Sequence, residues 1–271
     1  MKKLLSLLLA LGVVCSLAGC AGSNDGSQSD ASQSSSVSAS GSQTDSSQAD
    51  GSQTDVQVMS YEEYMAAELD AQVTIEAYVQ AKQSWWEDKA TVYAQDEDGA
   101  YFLYNMACSQ EDYEKLVPGT CIRVTGYKTE WSGEIEIMDG TFEIVEGDTF
   151  VAEPLDVTSL LGTEELINHQ NQLVDFKGLT VVAAGQDDAG NDVPFLYNWD
   201  GSGTQGDDLY FNVSVGDQTY TFTVESYLCD SSTEVYKAVE ALEIGQVIDA
   251  QGFLYWYEGV NPHITSITVV E

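Results

Sequence analysis

Two sets of three glycines, each spaced by seven residues, constrain the fold of this chain most strongly. In "LVPGTCIRVTGYKTEWSGEIEI" the glycines lie at positions 119, 126 and 133, and in "LEIGQVIDAQGFLYWYEGVNPHI" they lie at 245, 252 and 259. The offset between the two sets is a constant 126 residues. At the same offset, Leu116 aligns with Leu242, and Tyr127 aligns with Phe253. We therefore predict a duplicated structural unit.

The match extends on both sides of the glycines. "AYFLYNMACS" aligns with "TFTVESYLCD", which places Cys108 opposite Cys229, and "FEIVE" aligns with "ITVVE" at the far end. Each copy also begins with an extended apolar segment, "AQVTIEAYV" in the first and "NQLVDFKGLTVV" in the second. We assign one domain to residues 58–150 and a second to residues 151–271.

Each copy is predicted to contain a first set of strands, then one helix, then a second set of strands. Alternating apolar and polar residues, rich in β-branched and aromatic types, predict strands in "AQVTIEAYV", "KATVYAQ", "GAYFLYNM", "CIRVTGY", "EIEIM" and "TFEIVE". In "SQEDYEKLVPG", Ser109 is typical of a helix cap, and Pro118 with Gly119 is typical of a helix end. In the second copy, a capping box of Ser231 and Glu234 predicts the equivalent helix.

This order, together with the loose pattern L-x-x-G-x-x-I/V-x-V-x-G, resembles bacterial OB-fold domains. The pattern positions of the first copy are occupied by Leu116, Gly119, Ile122, Val124 and Gly126, and Ala250 replaces the valine in the second copy. The resemblance implies a mainly β protein made of two tandem OB-fold-like five-stranded barrels, each with one capping helix. A generic β-sandwich is the alternative.

The first 20 residues, "MKKLLSLLLALGVVCSLAGC", have the basic start, apolar run and small-residue end of a secretory signal peptide. The last four, ending in Cys20, resemble the bacterial lipobox, which implies lipid attachment at Cys20 and a protein anchored on the extracytoplasmic face of a bacterial membrane. An ordinary signal peptide with a chance cysteine is the alternative. Residues 21–57 follow as a Ser, Gln, Asp and Gly-rich linker that we predict to be disordered, because it cannot bury enough apolar surface to offset its chain entropy.

Charge excludes one class of partner. Residues 56–271 hold seven Lys or Arg and 40 Asp or Glu, a formal net charge of −33. Such a field repels polyanions, and single-stranded nucleic acid needs a basic groove, so we expect no nucleic-acid partner. General acidity for solubility is the simplest origin of the charge.

The sequence offers no cofactor, metal or catalytic motif. No Cys-x-x-Cys pair is present, His169 and His263 are isolated in sequence, and "DDAGND" and "DGSGTQGDD" do not fit a calcium loop. Cys108 and Cys121 are predicted near the helix-capped end of the first barrel, where a disulfide between them is one alternative and buried thiols the other. We therefore name no catalytic residue.

Adjacent tryptophans suggest a binding surface. Successive side chains of an extended chain point to opposite faces, so at least one of Trp85 and Trp86 is expected to be exposed. The OB-fold resemblance implies a ligand site on strands two and three, flanked by the loops between strands one and two and strands four and five. The candidate ligand-binding residues are Trp85, Trp86, Trp131, Trp199, Tyr255, Trp256 and Tyr257. Packing of these rings in the cores is the alternative.

An aromatic, acidic surface is suited to glycans or to cationic peptides and amines. The sequence thus predicts a non-catalytic binding or accessory module for an unknown extracytoplasmic ligand. Two other hypotheses stay open: an assembly role in which the barrels bind another envelope protein, and a hydrolase whose site has no recognised motif.

Overall fold

The computed structural model describes residues 57–270. The predicted signal peptide with Cys20, and all of the predicted linker except its last residue, lie outside the described residues. Within the described part, no helix has the length and apolar character needed to cross a membrane.

The first barrel is closed by five strands in the order β1-β2-β3-β5-β4. The strands are β1 (Gln72–Lys82), β2 (Lys89–Gln95), β3 (Ala100–Ala107), β4 (Cys121–Trp131) and β5 (Glu134–Ile144). β3 and β5 pair in parallel, the other neighbours pair antiparallel, and β4 pairs with β1 to close the barrel. A short helix, α1 (Tyr61–Ala66), precedes β1, and α2 (Gln110–Lys115) connects β3 to β4.

The second barrel repeats this arrangement with an insertion. Its strands and helices are β6 (Leu155–Asp156), two 3-10 turns (Thr158–Leu160 and Glu164–His169), β7 (Leu173–Val182), β8 (Gly185–Gln186), β9 (Asp192–Val193), β10 (Phe195–Tyr197), β11 (Leu209–Val215), β12 (Gln218–Val224), α3 (Glu234–Glu240), β13 (Val247–Phe253) and β14 (His263–Val269). β7, β11, β12, β14 and β13 close the barrel, with β12 parallel to β14. The predicted mainly β fold of two five-stranded, OB-fold-like barrels is confirmed.

Strand alternation fills both cores. In β1 the side chains of Val73, Ile75, Ala77 and Val79 are each at most 1% exposed, which is the inward face predicted from the sequence period. The second core contains Phe176, Phe211 and Phe222, with Tyr236 of α3 packed onto them, among other apolar residues. Each barrel therefore has its own hydrophobic core.

The repeated glycines occupy the same structural positions in both barrels. Gly119 and Gly245 follow the capping helix and have φ of +89° and +92°, a conformation that side chains with a Cβ rarely adopt. Gly126 and Gly252 lie at bulges, and a Cβ on Gly252 would lie 2.1 Å from a backbone oxygen of β14. The predicted strands "EIEIM" and "TFEIVE" are one strand, β5. The irregularity in its pairing with β4, opposite Gly126, interrupts the register but does not end the strand.

The predicted capping box of the second helix is wrong. α3 begins at Glu234, and its N-cap is Thr233, whose hydroxyl accepts a hydrogen bond from the Tyr236 backbone. Asp230 instead accepts hydrogen bonds from both the backbone and the hydroxyl of Ser232, which holds the preceding residues in a turn. Local Asp-Ser bonding therefore competes with an earlier helix start.

The three cysteines of the described residues, Cys108, Cys121 and Cys229, are buried free thiols. Cys108 and Cys229 contribute to the first and second barrel cores, respectively. Cys121 lies on the strand face opposite that of the core residue Ile122, so it points away from Cys108. The disulfide considered between Cys108 and Cys121 therefore does not form in this structure.

The two barrels share an apolar interface. The ring of Tyr93 in β2 is fully buried and stacks on Phe253, with centroids 4.2 Å apart and planes 7° from parallel. Phe102 packs beside Tyr93 at 4.8 Å, and the Tyr93 hydroxyl is 2.9 Å from Nδ1 of His263. Tyr93 and Phe102 of the first barrel and Phe253 of the second form one continuous apolar cluster.

Hydrogen bonds extend this interface on both sides. Gln83 Nε2 donates to Glu225 Oε2 at 2.9 Å, and Gln170 Nε2 donates to the Gly133 carbonyl at 2.8 Å. The fully buried Glu134 accepts the Trp256 backbone N–H at Oε2, 2.9 Å away. Among the described residues, its second oxygen, Oε1, and Oδ1 of Asn171 have no hydrogen-bond partner.

Candidate binding cleft

Two adjoining cavities, of about 510 and 650 Å³, lie where the barrels meet. The first is lined by β2, β3 and the β1–β2 loop, and the second by β11, β12 and the β13–β14 loop. Both cavities are lined by Glu225, Tyr255 and His263, which form the junction between them. We call the two cavities together the binding cleft.

The β1–β2 loop brings Trp86 to the first cavity through a tight turn. The backbone groups of Trp86 and Lys89 exchange hydrogen bonds of 3.3 and 2.9 Å across two residues, Glu87 and Asp88. Both central residues have positive φ, 48° and 58°, which is the geometry of a type I′ turn. The indole of Trp86 is 66% exposed, so the prediction that one of the adjacent tryptophans is exposed is confirmed.

A row of rings crosses the floor of the cleft from one barrel to the other. Tyr104 and Phe102 in β3 lie with their ring centroids 6.1 Å apart, and Phe102 meets Tyr255 edge-on at 5.3 Å. Tyr255 in turn stacks on His263 at 4.3 Å. Burial lowers the pKa of His263 to about 3, so its ring is neutral at physiological pH. The floor is therefore aromatic and uncharged.

Carboxyl groups lie on the walls above this floor. Glu225 lies at the junction, where burial first and the negative charge of Asp208 second raise the pKa of Glu225 to about 7. Asp208 is held in place because its Oδ1 accepts hydrogen bonds from the backbone and hydroxyl of Ser226, at 2.8 and 2.7 Å. Glu87 lines the first cavity and Glu258 the second.

The insertion between β7 and β11 supplies the outer wall of the second cavity. Trp199 is 76% exposed and lines this cavity with Tyr210 and Tyr257. The backbone N–H of Asn198, which has a φ of 57°, donates to the Asp208 carbonyl at 2.8 Å and fixes the base of this loop. Burial and the nearby charges of Asp208 and Glu225 raise the pKa of Tyr210 to about 12, so its phenol is neutral at physiological pH.

Four of the seven predicted ligand-binding residues line the cleft: Trp86, Trp199, Tyr255 and Tyr257. The other three lie elsewhere. Trp85 is half-buried, and its Nε1 donates to the Cys108 carbonyl at 3.0 Å, which gives it a structural contact. Trp256 lies against the Gly133 turn of the first barrel, and Trp131 is 60% exposed at the end of β4, outside the cleft.

Sequence reasoning missed several residues of the cleft. Phe102 and Tyr104 alternate on the outer face of β3, a signal that the strand period made available. Glu225, Asp208 and His263 carried no comparable signal, because they lie in segments of the second barrel that are far apart in sequence and meet only when that barrel folds. Within residues 57–270, no group of three or more His, Cys, Asp or Glu side chains is arranged to hold a metal ion.

No protein-family model and no curated protein matches this chain. Among solved structures, the p204 HINb domain is 11% identical with a TM-score of 0.34, covering 75% of this chain and 100% of that chain. The tetrameric p202 HIN2 is 13% identical with a TM-score of 0.31, and the match covers 75% of this chain and 96% of that chain. A replication protein A heterotrimer bound to single-stranded DNA is 13% identical with a TM-score of 0.30, covering 74% of this chain and 49% of that chain. Similarity at this level carries no argument about a ligand.

Proposed function

We propose that this chain is a non-catalytic binding module on the extracytoplasmic face of a bacterial membrane, anchored by a lipid on Cys20. The observation that carries the binding role is the cleft, in which exposed aromatic rings and carboxyl groups from both barrels surround a continuous space. Concave sites of several hundred Å³ with aromatic walls and a few convergent polar groups are typical of ligand pockets. The anchoring rests on the lipobox-like tetrad.

The charges of the cleft argue against a phosphate-rich ligand. Glu87, Asp208, Glu225 and Glu258 line it, whereas Lys89 is the single Lys or Arg among the described residues that does so. Four of the other basic residues are engaged in ion pairs: Lys115, Arg123, Lys177 and Lys237. A polyanion would therefore meet net negative charge with few available cations.

Membrane anchoring is tested by Cys20→Ala. Because the proposed lipid is attached to this one side chain, the variant should move from the membrane fraction to the soluble fraction of a bacterial expression host. The measurement is immunoblotting of both fractions, with Cys15→Ala as the matched control, since Cys15 lies in the same segment outside the lipobox-like tetrad. Full membrane retention of the Cys20 variant would contradict the proposal.

The binding role is tested by comparing exposed tryptophans inside and outside the cleft. A panel of neutral oligosaccharides, polyamines, lysine-rich peptides and single-stranded DNA is titrated while intrinsic tryptophan fluorescence is recorded. We expect at least one of the first three classes to bind, and Trp86→Ala or Trp199→Ala to weaken that binding about tenfold or more. Trp131→Ala is the matched control, because its indole is also exposed but lies outside the cleft.

Two results would contradict this role. In one, Trp131→Ala weakens binding as much as Trp86→Ala does, so that the cleft has no special part. In the other, no member of the panel binds and a protein co-purifies with the chain, which would favour the assembly role. Binding of single-stranded DNA alone would overturn the electrostatic argument.

A further inference from the structure

Glu225 lies at the point where the two cavities join. Its Oε2 accepts a hydrogen bond from the neutral Gln83 side chain across the interface, at 2.9 Å, and the backbone N–H groups of Tyr227 and Leu228 also favour its ionised form. Asp208 lies close enough for its charge to act on Glu225, and Asp208 also borders the second cavity. Two carboxyl groups thus share one partly desolvated corner of the cleft.

Within residues 57–270, this pair of carboxyl groups has no ion-pair partner, and no ion pair there includes Lys89. Partial burial makes an uncompensated carboxylate costly, because the group has lost water without gaining a counter-charge. A ligand that supplies a cation at this corner would recover that cost.

The surrounding rings favour the same kind of ligand. Tyr255 lies at the junction and presents an aromatic surface shared by both cavities, with Trp86 on one side and Trp199 on the other. Aromatic faces attract ammonium groups, and they also pack against the methylene stems that carry them. A neutral sugar would stack on the same rings but would leave the carboxyl pair without a counter-charge.

We propose that the ligand is a linear oligocation whose protonated amines are separated by short apolar stems, with one ammonium bound between Glu225 and Asp208. This inference rests on the proposed function, because it concerns the same cleft. Two sources share this chemistry: a free polyamine, and the lysine side chains of a peptide. The total cavity space and the aromatic residue on either side of the junction suit a ligand that extends across both barrels.

The test compares Glu225→Gln with the parent, using spermine and hexalysine as cationic probes and maltohexaose as the neutral probe. The amide keeps an oxygen that accepts the Gln83 hydrogen bond but removes the negative charge, so the fold is expected to be retained. We expect Kd for the bound cationic probe to rise about tenfold or more, as for a lost charge-assisted contact. Glu243→Gln is the matched control, because it makes the same charge change at an exposed position outside the cleft.

A pH series adds a readout that a merely structural role of Glu225 would not move. Besides Glu225, the titratable groups lining the cleft are Glu87, Lys89, Tyr104 and Tyr227 in the first cavity, Asp208, Tyr210, Tyr257 and Glu258 in the second, and Tyr255 and His263 in both. The buried Tyr93 and Cys229 also lie within range of the charge of Glu225. Tyr210, with a pKa near 12, and His263, with a pKa near 3, stay neutral between about pH 6 and pH 8. Ionisation of Glu225 should therefore strengthen binding of a cation across this range in the parent, and Glu225→Gln should flatten the dependence.

The possible outcomes separate this inference from the proposed function. Stronger binding of spermine than of hexalysine indicates a free polyamine, and the reverse indicates a peptide; either supports the inference if Glu225→Gln abolishes the preference for cations. Binding of maltohexaose that is sensitive to Trp86→Ala and indifferent to Glu225→Gln would overturn the inference and leave the proposed function standing. Absence of binding by all three probes would count against both.

Discussion

Replacing Tyr93 by alanine should lower the free energy of unfolding by about 3–5 kcal/mol, the usual cost of removing a large buried ring. Tyr93 is fully buried between the barrels, where it stacks on Phe253 and packs beside Phe102. Its loss would leave a cavity in the interface and remove an aromatic pair that contributes beyond its buried area. The measurement is urea denaturation followed by tryptophan fluorescence and far-ultraviolet circular dichroism.

Tyr93→Phe is the matched control for this prediction. It keeps the ring and removes only the hydroxyl that lies 2.9 Å from Nδ1 of His263, so the expected loss is about 1–2 kcal/mol. Equal losses in the two variants would mean that stacking across the interface contributes little. Two separate transitions in the alanine variant, where the parent shows one, would show that Tyr93 couples the barrels.

The second large effect is a pH-dependent gain in the free energy of unfolding when Glu134 is replaced by glutamine. Oε1 of Glu134 and Oδ1 of Asn171 both lack a partner among the described residues, and both are acceptors if the carboxyl is ionised. The Asn171 side chain lies within hydrogen-bond reach of the Glu134 carboxyl, so a protonated carboxyl would find an acceptor in Asn171 Oδ1, and this one bond would satisfy both atoms. Burial, the largest cause, raises the pKa of Glu134 to about 9, so the protonated form is the one expected at neutral pH.

The raised pKa fixes the sign of the pH dependence. Protonated Glu134 contributes its full stability below its ordinary pKa of 4.5, and this contribution is lost progressively as the pH rises towards about 9. Glu134→Gln donates the same hydrogen bond through its amide at every pH. The variant should therefore be more stable than the parent by on the order of 3 kcal/mol at neutral pH, and by much less near pH 5.

Urea denaturation of both proteins at about pH 5 and about pH 8 measures this difference. Glu130→Gln is the matched control, because this exposed residue lies on the same hairpin and is expected to give little change at either pH. If Glu134→Gln changes the stability equally at both values, the carboxyl is not protonated in the folded protein as we infer.

Much of the fold could be predicted because short-range sequence patterns determine it. The glycine repeat marks turns and bulges where a Cβ is strained or excluded, as at Gly245 and Gly252, so its period survives in both copies. The strand alternation of Val73 to Val79 reflects burial of one face. Helix α1 escaped prediction although Ser60 and Glu63 form a capping box, since it lies ahead of the repeated unit.

The cleft could be predicted only in part, since it depends on contacts between residues far apart in sequence. Exposed rings in loops, such as Trp86 and Trp199, could be anticipated from their positions next to strand ends. The side chain of Glu225 is hydrogen-bonded to Gln83, 142 residues away, and that of His263 to Tyr93, 170 residues away. No periodicity in either segment reports a partner in the other barrel.

The insertion between β7 and β11 makes the two ends of the cleft different. The corresponding connection in the first barrel, between β1 and β2, is the short loop that carries Trp86, whereas the second barrel has β8, β9 and β10 and the exposed Trp199 in the same place. The two ends of an extended ligand therefore meet different surroundings. A symmetric polyamine would bind equally well after end-to-end reversal, but a peptide would have a preferred chain polarity in this cleft.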